Sequence, residues 1–193
     1  NFDAEIVEIE GVSADGCIRP DTSVEVLSGL GPAFDADGSV TAGTSSPLTD
    51  GAAFVLVCTA EHAEETGLTP LARIVSTAVS GCAPEIMGIG PVSATRKVLD
   101  RAGIGLDDID VIELNEAFAA QSIGVLRSLD LDEDKVNVHG GAIALGHPLG
   151  CSGTRILTTL IHAMHRRGAH RGLASLCVGV GQGVSTLVEA IDG

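Results

Sequence analysis

The sequence contains no tryptophan, no tyrosine and four phenylalanines. Its core is therefore expected to be aliphatic and built of small residues, as where helices pack closely on a sheet. Basic residues are also scarce. Eleven Lys and Arg, with Lys97 and Lys135 the only lysines, stand against 26 acidic residues, for a net charge of -15. That balance repels phosphate backbones and leaves no basic face for an anionic membrane, so neither nucleic acid nor membrane is expected as a partner. The acidic surface favours solubility, and a salt-adapted host is one setting that suits it. No apolar run reaches membrane-spanning length, and no secretory signal is read in a chain that begins at Asn1. The five cysteines are an odd number without framework spacing, which predicts reduced thiols and a cytoplasmic setting. No metal-ligand spacing is read.

What is present is 193 residues, 45% hydrophobic, with 25 glycines. This suits one α/β domain, or one domain and a fragment of another. Residues 4–10 alternate polar and apolar, which predicts a strand. Asp21 or Thr22 is placed to cap a helix through Leu27, with Glu25 completing a capping box. Residues 52–58 (AAFVLVC) form a continuous apolar run, the pattern of a strand buried on both faces. A short helix over 60–66 should stop at Gly67.

From Leu68 onward, predicted strands (72–80, 110–114, 173–180, 184–191) alternate with predicted helices. The helices are 91–101 ended by Gly103, 116–129, and 152–167 ended by Gly168. Residues 116–129 should turn Phe118, Ile123, Leu126 and Leu129 inward. Residues 152–167 should bury Ile156, Leu157, Leu160, Ile161 and Met164. Residues 68–193 are read as a complete layered domain. Residues 1–67 supply a buried-type strand without neighbours, so they are read as part of a domain completed elsewhere.

Three stretches carry chemistry. His147 lies in Gly146-His147-Pro148-Leu149-Gly150 just before a predicted helix, whose N-terminus favours a developing oxyanion; the structural alternative is a histidine capping a turn. Cys177 ends an apolar strand. It is either a thiol that acts as a base once ionised or a small buried hydrophobe. Asn115 sits where a strand meets a helix, placed to fix a water or a carbonyl, or to serve as an N-cap. The glycines at 179, 181 and 183 do not make a dinucleotide loop, because a strand rather than a helix follows. His62, His162, His165 and His170 are read as structural or solvated.

NEAF (115–118), GGAIALGHPLGCSG (140–153) and CVGVGQG (177–183), with GPAFDADGSVTAGTSSPLTDGAA and PEIMGIGP, resemble the signature blocks of the thiolase family. The resemblance covers essentially the whole chain and corresponds to the second half of a family member. It implies a thiolase-like layered fold with a mostly five-stranded mixed sheet and helices on both faces over 68–193. Residues 1–67 would then be the end of the loop region and last strand of an incomplete N-terminal thiolase domain. It implies an acetyl-CoA C-acyltransferase that cleaves 3-ketoacyl-CoA with coenzyme A, or runs the reverse condensation.

By that resemblance His147 activates the nucleophilic cysteine and binds the thioester oxygen. Asn115 holds a water of the same oxyanion hole, Cys177 moves the α-carbon proton, and the Gly179 amide belongs to a second oxyanion hole. Ser46, Ala42 and Phe34 match the pantetheine channel. Met87, Ala117 and Phe118 match the acyl end, and Arg19 lies near the nucleotide, where an anionic ligand needs local positive charge. Coenzyme A and acyl-CoA enter as substrates, with no permanently bound cofactor. A homodimer or homotetramer is implied.

The family's acyl-accepting cysteine belongs to the first half, and none of these five stands in a matching motif. The chain alone is therefore expected to be inactive, with that cysteine supplied by a missing N-terminal half. GHPLGCSG and TSSPLTDGAA resemble degradative 3-ketoacyl-CoA thiolases more than acetoacetyl-CoA synthesising ones. A non-catalytic thiolase-like partner subunit is the alternative of another class.

Overall fold

The regular core grows from one buried sheet. A computed structural model describes residues 2–191. Its strands are β1 (Ala72–Gly81), β2 (Val111–Leu114), β3 (Arg171–Val178) and β4 (Gln182–Ala190), in the order β1-β4-β3-β2. β4 runs antiparallel to β1 and β3, whereas β2 and β3 are parallel, so the sheet is mixed.

Among the described residues the sheet has four strands, not the five expected. Beside β2 the chain makes a single parallel bridge, Ile112 to Val136. The next residue, Asn137, turns to φ +47 and leaves the extended region. Its side-chain amide then takes over the pairing: Oδ1 accepts from Leu114 N at 2.8 Å, and Nδ2 donates to Leu114 O at 2.8 Å. An amide side chain thus stands where strand backbone would have continued.

Helices cover both faces, as expected. β2 shows why, since all four of its residues are buried. Alternation sends Ile112 and Leu114 to one face and Val111 and Glu113 to the other. On the first face Ile112, Leu114 and Leu187 meet Val92, Val98 and Leu99 of α3 (Gly90–Ala102) and Val125 of α4 (Ala119–Leu129). On the second, Val111, Ala174 and Val188 meet Ile156, Leu160, Ala163 and Met164 of α6 (Ser152–Arg167). Gly172 permits that approach, because a Cβ there would stand 2.3 Å from Met164 Sδ. α3 and α6 end at Gly103 and Gly168 in the left-handed region, where glycine carries no steric penalty.

The phase of α4 differs from the sequence expectation. It starts at Ala119 rather than Glu116, and it buries Gln121, Ser122 and Val125. Ile123 is exposed. The helix is rotated by its contact with the 3-10 turn Pro84–Ile89, where Gly88 lies against Gln121 and Gly124 against Ile89.

The first 67 residues depart most. Residues 4–10 form turns with one isolated bridge, Ile9 to Val12, rather than a strand. α1 (Val24–Ser28) is capped by Ser23, whose side chain accepts from Val26 N, and not by Asp21 or Thr22. Glu25 makes no capping box; it sits in the first turn, where a favourable backbone contact lowers its pKa. Residues 52–58 are not a strand, and Phe54 and Leu56 point outward. A run apolar on both faces is extended only when strands flank it, and none does among the described residues. α2 (Ala60–Thr66) does stop at Gly67, φ +68.

Candidate active site

Two chain segments meet at the C-terminal end of β2, beside β3. Asn115 directly follows β2, and its N–H continues the ladder by donating to Ser175 O at 2.9 Å. Its side chain is buried at 1% exposure. His147 arrives from the other side, between α5 (Ala142–Leu145) and α6. Gly146 permits that entry: it sits at φ +99, and a Cβ there would meet Thr49 at 2.7 Å. Asn115 Nδ2 and His147 Nε2 are 3.3 Å apart.

The contacts of the two ring nitrogens fix the tautomer. His147 Nδ1 lies 2.6 Å from Ser152 Oγ, and Ser152 Oγ donates to Pro148 O at 3.1 Å. A hydroxyl has one proton. Asn115 Nδ2 can only donate, so Nε2 faces it as a lone pair and the ring proton sits on Nδ1, which donates to Ser152 Oγ and leaves the hydroxyl proton for Pro148 O. Burial, then the Arg155 guanidinium, draw the His147 pKa below its usual value, so the ring is neutral at pH 7. Such a ring can accept a proton at Nε2. Once protonated, it joins the Asn115 amide as a second donor at the same place.

Glu116 holds the loop that carries His147. Its Oε2 accepts from Ile143 N at the start of α5 and its Oε1 from Asn137 Nδ2, both at 3.1 Å. Gly141 must lack a side chain, because a Cβ would stand 2.3 Å from the Glu116 carboxyl carbon. A carboxylate at a helix start is also favoured by the exposed amides there.

Cys177 lies near the end of β3, paired with Gly183 and buried. Burial pushes its thiol pKa up, and a backbone hydrogen bond offsets only part of that. The resting group is therefore the thiol, a proton donor, rather than a preformed thiolate. Gly179 begins the three-residue turn joining Val178 to Gln182 and is exposed. Val180 in that turn takes φ +67, unfavourable for a β-branched residue. The turn is clamped from outside: Cys82 N donates to Gly181 O at 2.8 Å.

The segment before α2 reaches the same region. Ser46 donates through both N and Oγ to Ala117 O, each at 3.1 Å. Phe34 meets Phe118 edge to face, with centroids 6.4 Å apart. His147 N donates to Pro47 O at 3.0 Å. Ala42 is exposed at the start of the 3-10 turn Ala42–Thr44. Met87 lies in the Pro84–Ile89 turn against α4. The structure thus joins Asn115 to His147, and Ser46 and Phe34 to Ala117 and Phe118. Arg19 remains on an exposed loop away from these contacts.

Sequence reasoning gave no role to Ser152, Glu116 or Asn137. A serine five residues after the histidine at a helix start was the signal for the first. The other two are tertiary anchors with no local pattern.

Comparisons with known proteins agree on one family. The thiolase C-terminal domain model matches residues 68–190, and the thiolase N-terminal domain model matches residues 1–61. A 3-ketoacyl-CoA thiolase of Marinomonas sp. (strain MWYL1) is 57% identical over 98% of this chain and 52% of its own length. The crystal structure of the Bacillus anthracis acetyl-CoA acetyltransferase superposes with a TM-score of 0.91 at 53% identity, covering 93% of this chain and 45% of that one. Human mitochondrial 3-ketoacyl-CoA thiolase in complex with CoA superposes at 0.89 with 44% identity, covering 95% and 48%. The chain spans about half the length of the curated relatives it matches. With both domain models matched and the fold shared, the chain belongs to the thiolase family.

Proposed function

We propose that the complete protein containing this chain is a thiolase-type acyltransferase that cleaves 3-ketoacyl-CoA with CoA to acetyl-CoA and a shortened acyl-CoA. The observation that carries this reading is the 3.3 Å contact of Asn115 Nδ2 with His147 Nε2, with Nδ1 committed to Ser152. His147 takes the proton of a cysteine supplied from outside residues 1–193. That thiolate attacks the 3-keto carbon. The C2–C3 bond breaks, and the electron pair passes to the thioester as an enolate. Protonated Nε2 and the Asn115 amide, directly or through a held water, stabilise its oxygen; such donors are worth about 3–4 kcal/mol each. The Cys177 thiol then protonates C2 and releases acetyl-CoA.

In the second half-reaction the Cys177 thiolate takes the proton of CoA–SH, whose sulfur attacks the acyl-enzyme. The Gly179 amide faces the resulting oxyanion. The imidazolium returns its proton to the departing cysteine, so both acid–base groups are restored. Ser46, Ala42 and Phe34 are assigned to the pantetheine arm, Met87, Ala117 and Phe118 to the acyl end, and Arg19 to the nucleotide. The CoA-bound human relative supports coenzyme A as the ligand. Residues 1–67 are assigned to the end of the N-terminal thiolase domain and 68–193 to the C-terminal one. A homo-oligomer in the cytoplasm completes the reading.

A second reading, acetoacetyl-CoA synthesis, is favoured by the likeness to the Bacillus anthracis acetyl-CoA acetyltransferase. Thiolysis rates of the complete protein on acetoacetyl-CoA and on a medium-chain 3-ketoacyl-CoA separate them. The degradative reading expects the longer substrate to be cleaved at least as well. Cleavage of acetoacetyl-CoA alone would favour the second, and no cleavage of either would reject both.

A further inference from the structure

Glu113 is a charged residue type in the middle of an apolar strand, at 1% exposure, and the reaction above does not use it. It lies two residues before Asn115, so the two project from the same face of β2 toward α6. Its partner is Arg155 of α6, with Nη1 3.6 Å from Oε2, an approach too long for a hydrogen bond. Three buried polar atoms gather here without hydrogen-bond partners among the described residues: Glu113 Oε1, Asn115 Oδ1 and Arg155 Nη1. Arg155 stands three residues after Ser152, so one side of α6 presents both the hydroxyl that holds His147 and the guanidinium beneath it.

Resting on the reading of His147 as the acid–base residue, we propose that Glu113 and Arg155 are positioning residues for the acyl transfer. Arg155 lies against Glu113 between β2 and α6, below the Asn115–His147 contact and on the side of α6 that carries Ser152, which accepts the His147 Nδ1–H. The charges around them fit this role. Burial is the larger cause of the lowered His147 pKa, and the Arg155 charge adds to it by disfavouring a second positive charge. Burial pushes Glu113 up to about 8 despite Arg155, with Glu5 and Glu116 adding repulsion. Glu5 is docked on α6 through Thr159 and Arg166. At neutral pH Glu113 is therefore mostly a neutral acid, and the Arg155 charge stands largely uncompensated under the oxyanion site. As the pH rises through about 8, the carboxylate forms and cancels it.

The test is an NMR titration of the His147 imidazole in the complete protein, run beside thiolysis. Arg155→Met should raise the His147 pKa and lower kcat at neutral pH by about 10- to 100-fold, with little change in KM. Arg155→Lys keeps the charge and should keep the titration near wild type. Glu113→Gln, which is isosteric, should match wild type below pH 7 and lose the alkaline inflection of kcat near 8. An identical His147 titration in wild type and Arg155→Met would overturn the proposal, as would equal losses in the Met and Lys variants. A moved titration in a protein without thiolysis would support the positioning role while rejecting the function proposed above.

Discussion

Leu114, Leu173 and Leu187 lie in the sheet at 2% exposure or less, whereas Phe34, Leu48 and Phe54 in the first 67 residues are 78–91% exposed. Both regions are rich in apolar side chains, and both carry helix caps that work. The difference is partnership. β2 and β3 each have paired neighbours and helices above and below, so an apolar run becomes a buried strand. Residues 52–58 carry an equally apolar run and no pairing partner among the described residues, so the same composition stays irregular. Hydrophobicity specifies burial only when the covering surface is available.

Substitution at equivalent apolar sites should break this contrast most visibly. In chain 1–193, Leu187→Ala should cost about 2–5 kcal/mol in urea unfolding, while Phe54→Ala should stay within about 0.5. In the complete protein the Phe54→Ala cost should rise to about 3–5 kcal/mol. An unchanged cost there would mean that residues 52–58 are never covered.

Next in size is a pH effect confined to the core region. The Glu113 pKa is raised from 4.5 to about 8 on folding, so the folded state binds its proton more tightly. The stabilisation this gives is full below 4.5 and is lost as the pH rises through about 8. Its size is on the order of a few kcal/mol. Glu113→Gln should flatten that part of the stability–pH curve from denaturant titrations, leaving the variant more stable than wild type above pH 8.

Ser152→Ala removes the acceptor for Nδ1–H and should lower kcat about tenfold while costing about 1 kcal/mol of stability. Rescue by Ser152→Thr in steady-state assays would separate hydrogen bonding from packing. The smallest effect belongs to Val180. Moving a β-branched residue out of φ +67 by Val180→Gly relieves about 1–2 kcal/mol of strain. Glycine's added chain entropy offsets about half of that. A melting temperature higher by a degree or two is the expected readout.

Much of the core region was legible in the sequence for local reasons. Gly103 and Gly168 stop their helices in the left-handed conformation that glycine adopts freely, as Gly67 does within the first 67 residues. The apolar stripe of α6 carries its own period. What sequence could not supply was tertiary. The rotation of α4 is set by the Pro84–Ile89 turn, and the end of sheet pairing beside β2 is set by the amide of Asn137. In the candidate site, Asn115 and His147 were readable as a pair of polar groups at strand and helix ends. The lock on their geometry, through Ser152 and Glu116, depends on contacts between segments.

The central claim is that Asn115, His147 and Cys177 form one proton-transfer site at the α-carbon of a thioester. Deuterium exchange into the methyl group of acetyl-CoA in D2O, followed by NMR with the complete protein, tests it most directly. The account predicts rapid exchange in wild type, and loss of about a thousandfold or more in Cys177→Ala, with a comparable loss in Asn115→Ala. Exchange at the wild-type rate in Cys177→Ala would contradict it.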